Sequence, residues 1–335
     1  MEKGLKKKWM AILFAVLIII TFGFAFNSVQ SNTLCAAVTK AFNVNTVYIG
    51  IALSVLTLIV IFGGVRRIAK ISSIIVPFMA LGYILLALVV IAMNIKALPG
   101  VLETIVANAF GWKQAFGGGV GAALMQGIKR GLFSNEAGMG SAPNAAATAD
   151  ISHPIKQGLI QALGVFTDTI LICSCTAFII LFSGIPLDGS INGVQLTQQA
   201  LTTQIGSSGT YFIAITLFFF AFSSIIGNYY YGEANLQYII KDHESKTYKV
   251  FLLIYRILVC CMVMTGALVS LDLAWNMADV SMGLMTLCNM VAIVFLGKYA
   301  FRLLKDYRSQ LKAGIKSPTF TKDKMPDIQD ELDCW

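Results

Sequence analysis

Residues 116–150 read FGGGVGAALMQGIKRGLFSNEAGMGSAPNAAATAD, and this segment differs in composition from the other apolar runs of the chain. A helix that faces lipid consists mainly of Leu, Ile, Val and Phe. This segment is rich in Gly, Ala and Ser and carries Lys129, Arg130 and Glu136 near its centre. Small residues let membrane helices pack closely, and charges at membrane depth are costly and usually face a cavity. The composition therefore predicts a membrane helix that is broken in its middle.

The break is predicted between Gly131 and Gly138. The first half of the helix would end at Gly131, because glycine readily adopts the left-handed conformation that ends helices. The second half would begin at Ser134 or Asn135, which are both good N-caps. Its free N–H groups would suit a substrate carboxylate, and carbonyls freed in the first half could hold a cation, as in the broken helices of transporters. Two alternatives stay open: a packing segment without a ligand, and a loop outside the membrane.

Composition and charge point to a polytopic membrane protein. Of the 335 residues, 57% are hydrophobic and 13% are charged, whereas a soluble domain is about 25% charged. The net charge of +8 falls in short clusters between apolar runs, which does not indicate a nucleic-acid partner. Most of the 7 cysteines lie inside apolar runs, so no disulfide framework is predicted. His153 and His243 are the only histidines and lie in polar connections, which argues against a histidine-rich metal site.

Eight membrane spans of about 20 apolar residues each are predicted. Residues 1–9 form a basic start, residues 10–297 a transmembrane domain, and residues 298–335 a polar tail that we expect to be a solvated helix giving way to disorder. The spans are 10–28, 47–64, 71–95, 117–148 (broken), 156–183, 209–231, 250–271 and 277–297.

The distribution of Lys and Arg predicts the orientation. The connections assigned to the outside hold few of these residues; they are 29–46, 96–116, 184–208 and 272–276. The basic clusters follow an even number of spans and fall on one side, as the positive-inside rule requires. We therefore expect a plasma-membrane protein with both termini of this chain in the cytoplasm and 117–148 as a single crossing. Arg256 lies near the cytoplasmic end of its span and is expected to extend back to the interface.

Asp168 lies in the middle of an otherwise apolar span. A carboxylate at that depth is a candidate functional group by default. The alternative, which we prefer slightly, is that Asp168 pairs with Lys129 or Arg130 of the broken helix.

Polar side chains in two other spans are candidates for the same site. Ser224 and Asn228 are four residues apart and so share one helix face, and their oxygens suit a hard cation. Serines in membrane helices also commonly bond their own backbone, and this alternative stays open. Asn27, Gln30 and Asn32 follow the first span, where they either cap its outer end or face the cavity.

Three motifs resemble a known family. Gly131-Leu-Phe-Ser-Asn-Glu-Ala-Gly138, with Gly140-Ser-Ala-Pro-Asn-Ala after it, resembles the alanine/glycine:cation symporter family closely, as do Asp168-Thr169 and 220–233. The resemblance implies an all-α, leucine-transporter-type fold of two inverted five-helix repeats. It also implies alternating-access uptake of alanine or glycine coupled to sodium, in some members to protons, with no cofactor and no enzymatic activity.

The resemblance further implies that this chain is truncated at its amino-terminal end. Members of the family have eleven spans, and the eight predicted here match core helices three to ten. The first broken helix, which supplies substrate and sodium contacts in the family, is not found in the sequence. An inactive membrane fragment of such a symporter is therefore the alternative function.

The resemblance also implies roles for individual residues. The substrate-binding residues would be Gln30, Phe133, Ser134, Ser224 and Asn228. The sodium ligands would be Ser223 and Ser224. The break and the polar groups of its cavity would be Gly131, Asn135, Glu136, Gly138 and Asp168. Many relatives have Trp at the position of Asn228, so a smaller and more polar wall could suit a substrate of another size.

Two other classes of membrane protein are not indicated. A polytopic enzyme would need an arrangement such as Ser-His, Cys-His, HExxH or paired intramembrane carboxylates, and the sequence shows none. A channel would need a repeated filter or a ring of like charges, and neither is present in the sequence of one chain.

Overall fold

The computed structural model describes residues 1–63, 65–109, 119–187 and 189–332, and the regular structure in these ranges is helical. A short helix, Glu2–Leu5, comes first. The helices that follow are α1 Lys8–Phe42, α2 Thr46–Ile61, α3 Val65–Met93, α4 Leu98–Ala109, α5 Gly119–Asn135, α6 Pro143–Ala146, α7 Pro154–Phe182, α8 Gly193–Ile205, α9 Ser208–Ile239, α10 Lys246–Leu268 and α11 Leu271–Lys312.

Six helices of the described ranges are long and apolar enough to cross a membrane: α1, the Val76–Met93 part of α3, α7, α9, α10 and α11. Helices α2 and α4 are apolar but shorter. Of the eight predicted spans, 47–64 corresponds to the shorter α2, and Gly64 lies outside the described residues. The broken span 117–148 corresponds to α5, α6 and the turn between them, and its first two residues also lie outside.

Helix α1 is much longer than the predicted span 10–28, and the expected connection 29–46 is helical as far as Phe42. The physical reason is that its polar residues face inward and bind α10. Ser31 donates to the carbonyl oxygen of Val263 at 2.6 Å. Asn32 donates to the carbonyl oxygens of Gly266 at 3.1 Å and Val269 at 2.7 Å. Asn32 therefore binds a neighbouring helix and does not cap the end of a span.

Helices also occupy other predicted connections. Helix α4 lies within 96–116, of which residues 110–116 are outside the described ranges, and α8 lies within 184–208. Helix α8 is held because Gln198 is buried and donates to the carbonyl oxygen of Ala37 in α1 at 2.9 Å. The predicted connection 272–276 is the first turn of α11, which Ser270 caps by accepting from the backbone N–H of Leu273.

The polar tail is folded, which corrects the expectation of disorder for the described part of 298–335. Helix α11 continues to Lys312, and the chain then folds back so that the N–H of Phe320 donates to the carbonyl oxygen of Ser152 at 2.8 Å. Phe320 and Met325 are buried. These two apolar side chains in a polar segment explain the docking, because each removes apolar surface from water. Residues 333–335 lie outside the described ranges.

The centre of the bundle is formed by α1, α9 and α10, whose buried residues include Leu34, Ile225, Tyr229 and Val259. Two glycines allow these helices to approach. A Cβ on Gly23 would lie 2.8 Å from the Tyr255 ring, and a Cβ on Gly232 would overlap the Tyr255 hydroxyl. The Tyr255 side chain of α10 thus fills the space that α1 and α9 leave at these glycines.

Candidate functional site

The break in the segment 116–150 lies further along the chain than the sequence predicts. Helix α5 runs through Gly131 to Asn135, and the chain leaves the helix at Glu136, whose φ is +55°. The N–H of Glu136 still donates to the carbonyl oxygen of Leu132 at 3.2 Å, which keeps the last turn helical. Glu136 therefore takes the left-handed position that was predicted for Gly131. The break spans residues 136–142, with positive φ also at Gly138 and Gly140.

This position changes the expected role of the neighbouring residues. Phe133 and Ser134 belong to the last helical turn of α5 and not to an unwound segment. Asn135 accepts from the N–H of Ala137 at 2.9 Å, but no second half-helix begins there. The helix after the break is the single turn α6, which begins at Pro143.

The end of α5 is bound to a π-helical turn in α7, Thr167–Ile172. The Ser134 hydroxyl donates to the Asp168 carboxylate, and the Asn135 amide donates to the Thr169 hydroxyl at 2.9 Å. π-Helical turns within α-helices are frequent at functional sites. The structure thus brings together Ser134, Asn135 and Asp168, which the sequence selected as separate candidates.

Asp168 is not the partner of the two basic residues of α5, which corrects that expectation. Arg130 and Lys129 both bind Asp279 of α11, with N–O distances of 2.5 Å and 3.2 Å. The carboxylate of Asp279 lies within reach of both cations, whereas Asp168 lies against Ser134. Asp279 was missed, although a lone carboxylate inside the apolar run 277–297 was a usable signal.

A column of aromatic rings lies next to this ion pair. The Arg130 guanidinium lies 4.1 Å from the centre of the Trp275 ring. The ring centres of Trp275 and Phe133 are 4.7 Å apart, as are those of Phe133 and Phe26. Phe26 continues the column to Phe22 at 4.8 Å. The predicted substrate residue Phe133 therefore joins α5 to α1 and α11.

The predicted pocket residues of α1 and α9 meet in a buried amide pair. The Asn228 amide donates to the side-chain oxygen of Asn27 at 3.0 Å, and the Asn27 amide donates to the carbonyl oxygen of Gly23 at 3.1 Å. Both asparagines are buried, and Gln30 lies half-buried one turn further along α1. Asn27 thus contacts the predicted pocket residue of α9 and does not end the span.

The hydroxyls of Ser223 and Ser224 both donate to the carbonyl oxygen of Phe220 at 2.9 Å. This is the backbone-bonded arrangement that was left open for them. Within the described residues, no group of three or more His, Cys, Asp or Glu side chains could hold a metal ion.

Glu136 itself faces the Ser141 hydroxyl, which donates to its carboxylate at 2.5 Å. Asn289 of α11 donates to the carbonyl oxygen of Gly138 at 2.8 Å and so fixes the break from the other side. A cavity of about 470 Å³ lies against the break; its polar lining residues are Asn135, Glu136, Gln161 and Asn289. Gln161 and Asn289 were not selected from the sequence.

Arg256 does not extend to the interface, because α9 continues beyond its predicted end at residue 231 and places Glu233 opposite it. Arg256 donates to the Tyr229 hydroxyl at 2.8 Å, and its guanidinium lies 3.5 Å from the buried Glu233 carboxylate. The Phe62 ring covers the guanidinium at 4.9 Å. Arg256 thus joins α10 to α9 and to the end of α2.

Comparison with known proteins places the chain in one family. The model of the sodium:alanine symporter family matches residues 1–322. "Probable sodium/glutamine symporter GlnT" of Bacillus subtilis (strain 168) is 52% identical over 335 residues, which are 100% of this chain and 68% of that protein. "Amino-acid carrier protein AlsT" of the same organism is 50% identical, covering 100% of this chain and 70% of that protein. "Sodium/alanine symporter AgcS" of Methanococcus maripaludis is 39% identical over 81% of this chain and 58% of its own length.

Proposed function

The chain belongs to the sodium:alanine symporter family, and we propose that it couples sodium entry to the uptake of alanine or glycine by alternating access. The family consists of transporters, so the chain is a cation-coupled amino acid symporter and a multi-pass membrane protein, not an enzyme. Beyond family membership, we propose sodium as the coupling ion and alanine or glycine as the substrate. We also propose that both termini of this chain lie in the cytoplasm, which the positive-inside distribution of Lys and Arg supports.

The observation that carries the proposal is the junction between the end of α5 and the π-helical turn of α7. Ser134 and Asn135 bind Asp168 and Thr169 directly before the backbone leaves the helix at Glu136. Irregular backbone is tolerated at membrane depth only where it is buried in protein or lines a cavity. A cavity of about 470 Å³ lies against this break and is lined by Asn135 and Glu136, which directly follow the proposed substrate residues Phe133 and Ser134. Broken helices next to a cavity are the setting that transporters use for substrate.

In the proposed mechanism, the amino acid lies among Gln30, Phe133, Ser134, Ser224 and Asn228. Sodium is held by Ser223 and Ser224, whose hydroxyls would turn from the Phe220 carbonyl toward the ion. The helices of the break then move relative to α1 and α9 to open the opposite side. Asn135, Glu136, Gly138 and Asp168 supply the irregular backbone and the polar groups of the break, whereas Gly131, predicted to belong to it, lies within α5.

A second substrate, glutamine, is favoured by one observation. Asn228 places an amide in the proposed pocket, and amides pair well with amides, as Asn228 does with Asn27 at 3.0 Å. The 52% identical relative is named as a sodium/glutamine symporter. Competition between labelled alanine and unlabelled glutamine would separate the two substrates.

The proposal is tested by uptake of labelled alanine, glycine and glutamine into vesicles that carry the purified chain. We expect uptake only with an inward sodium gradient, and none from the same vesicles with a potassium gradient. Uptake that is equal with and without the sodium gradient would contradict sodium as the coupling ion. No uptake from inserted protein would contradict the proposed activity.

The sodium role of Ser224 is tested by Ser224→Ala, which removes an oxygen ligand. We expect about a tenfold higher sodium concentration for half-maximal uptake, the equivalent of about 1.4 kcal/mol in binding. Ser281→Ala in α11 is the matched control, because Ser281 also donates to its own backbone, at 2.9 Å from the Met277 carbonyl oxygen. Equal sodium dependence in both variants would contradict the assignment.

A further inference from the structure

A basic cavity of about 680 Å³ lies away from the break, between the first residues of the chain and the end of α9. Its cationic lining comes from two parts of the chain that are distant in sequence. The lining residues are Lys3, Lys6, Lys8, Lys241 and His243, with Glu2 and Glu331 as the two carboxylates and Gln237 and Tyr238 from α9. Because four lysines face two carboxylates, the cavity carries a positive charge.

The Glu2 carboxyl group lies within the field of this positive charge. It is bound by the Tyr238 hydroxyl, which fixes the start of the chain against α9. This hydrogen bond lowers the pKa of the Glu2 carboxyl, and the nearby charges of Lys241, Lys8 and Lys3 lower it further. Lys241, Lys8 and Lys3 are thus close enough together to act on a single anion, and a second anion placed in the cavity would feel the same field.

The cavity lies at the end of α1 where its apolar span begins, which is where lipid headgroups would meet the protein. Helix α1 leaves the cavity at Lys8 and continues as an apolar span, and Trp9 follows with 67% of its surface exposed. Exposed tryptophans mark the membrane–water interface. Basic pockets between membrane helices on the cytoplasmic side bind anionic headgroups.

We propose that this cavity binds a phosphate-bearing anion, presented either by an anionic phospholipid headgroup or by free phosphate. Lys6, Lys8 and Lys241 supply the charge, and the ligand ties the start of α1 to the end of α9. Glu331 of the folded tail lines the same cavity and competes with the ligand through its carboxylate. This site is independent of the proposed transport activity.

The test measures thermal unfolding of the purified full chain in a neutral detergent. Short-chain phosphatidylglycerol, short-chain phosphatidylcholine and inorganic phosphate are added separately, since a ligand that binds only the folded state raises the unfolding temperature. We expect a rise with phosphatidylglycerol and none with phosphatidylcholine. If inorganic phosphate raises the unfolding temperature as much as phosphatidylglycerol does, the site is assigned to free phosphate. No rise with phosphatidylglycerol and none with inorganic phosphate overturns the proposal.

Variants locate the effect. Lys6→Gln with Lys241→Gln should weaken binding about 25-fold, at about fivefold for each lysine near an anionic group. Lys6→Arg with Lys241→Arg should keep it, which controls for misfolding. Lys316→Gln with Lys322→Gln is the matched control, because both lysines are exposed in the tail and do not line the cavity. Glu331→Gln should tighten binding. Equal weakening by the tail variants would show that the effect is non-specific and would overturn the site.

Discussion

At the scale of single residues, two carboxylates of the long helices are held by basic side chains from a neighbouring helix. Asp279 of α11 binds Lys129 and Arg130 of α5, and Glu233 of α9 lies against Arg256 of α10. The sequence showed where these charges lie but not which charges meet, because pairing depends on how the helices are rotated against each other. Two sequence-based expectations were wrong for this reason: the pairing of Asp168 with a basic residue, and the extension of Arg256 to the interface.

Glu233→Gln should destabilise the folded chain by about 3 kcal/mol, because breaking a buried pair leaves the other charge uncompensated. The Glu233 and Arg256 side chains are 7% and 17% exposed. Glu244→Gln is the matched control, since Glu244 and Lys249 form an exposed pair at 3.0 Å, worth less than about 1 kcal/mol. Chemical unfolding in detergent would measure both. Similar losses of unfolding free energy in the two variants would show that the Glu233–Arg256 pair is not shielded from water.

At the scale of elements, the sequence predicts the long apolar helices well and their ends poorly. Helix α7 is close to its predicted span, whereas α1, α9 and α11 all extend into segments that read as polar connections. The extra turns are stable because their polar side chains bind neighbouring helices, as Asn32 does on α10. The break was recognised from its composition. Its position was wrong because the hydrogen bond from Glu136 to Leu132 keeps α5 helical beyond Gly131.

Gly232→Ala should destabilise the contact between α9 and α10 by about 1–3 kcal/mol, the usual cost of overpacking a filled core. The added Cβ would overlap the Tyr255 hydroxyl. Gly227→Ala lies on the same helix with no atom within 4 Å of its Cβ. It should be neutral or slightly stabilising, since alanine is the better helix former. Thermal unfolding of both variants is the measurement, and an unchanged Gly232→Ala protein would mean that Tyr255 moves freely aside.

At the scale of the whole molecule, the described tail closes over one end of α7 and α11. His153 accepts from the N–H of Ile155 through Nδ1, which leaves Nε2 to donate to Asp306 at 3.3 Å. The Phe320 ring packs edge-on against His153, and Arg302 binds Asp327 at 3.1 Å. The membrane class and the family could be predicted from the sequence. This docking could not, because it depends on single apolar residues in a polar segment.

Phe320→Ala should release the tail, because Phe320 is 7% exposed and its ring covers His153. We expect faster trypsin cleavage after Lys322 and Lys324 by at least about fivefold, the effect of losing about 1 kcal/mol of docking energy. Phe301→Ala is the matched control, since Phe301 is 75% exposed on α11. Equal cleavage of both variants and the parent chain would show that the Phe320 ring does not hold the tail.

The π-helical turn of α7, and a second one at Thr21–Phe26 in α1, have a consequence for how this chain tolerates change in length. Such a turn accommodates about one residue more than an α-helical turn, so the parts of the helix before and after it are out of register by about 100°. Removing one residue from Thr167–Ile172 would restore a regular helix and rotate either Asp168 or Cys173–Phe182 away from its neighbours. Single-residue deletions in this turn should therefore disrupt the contacts of a whole helix face at once, whereas deletions in exposed connections should not.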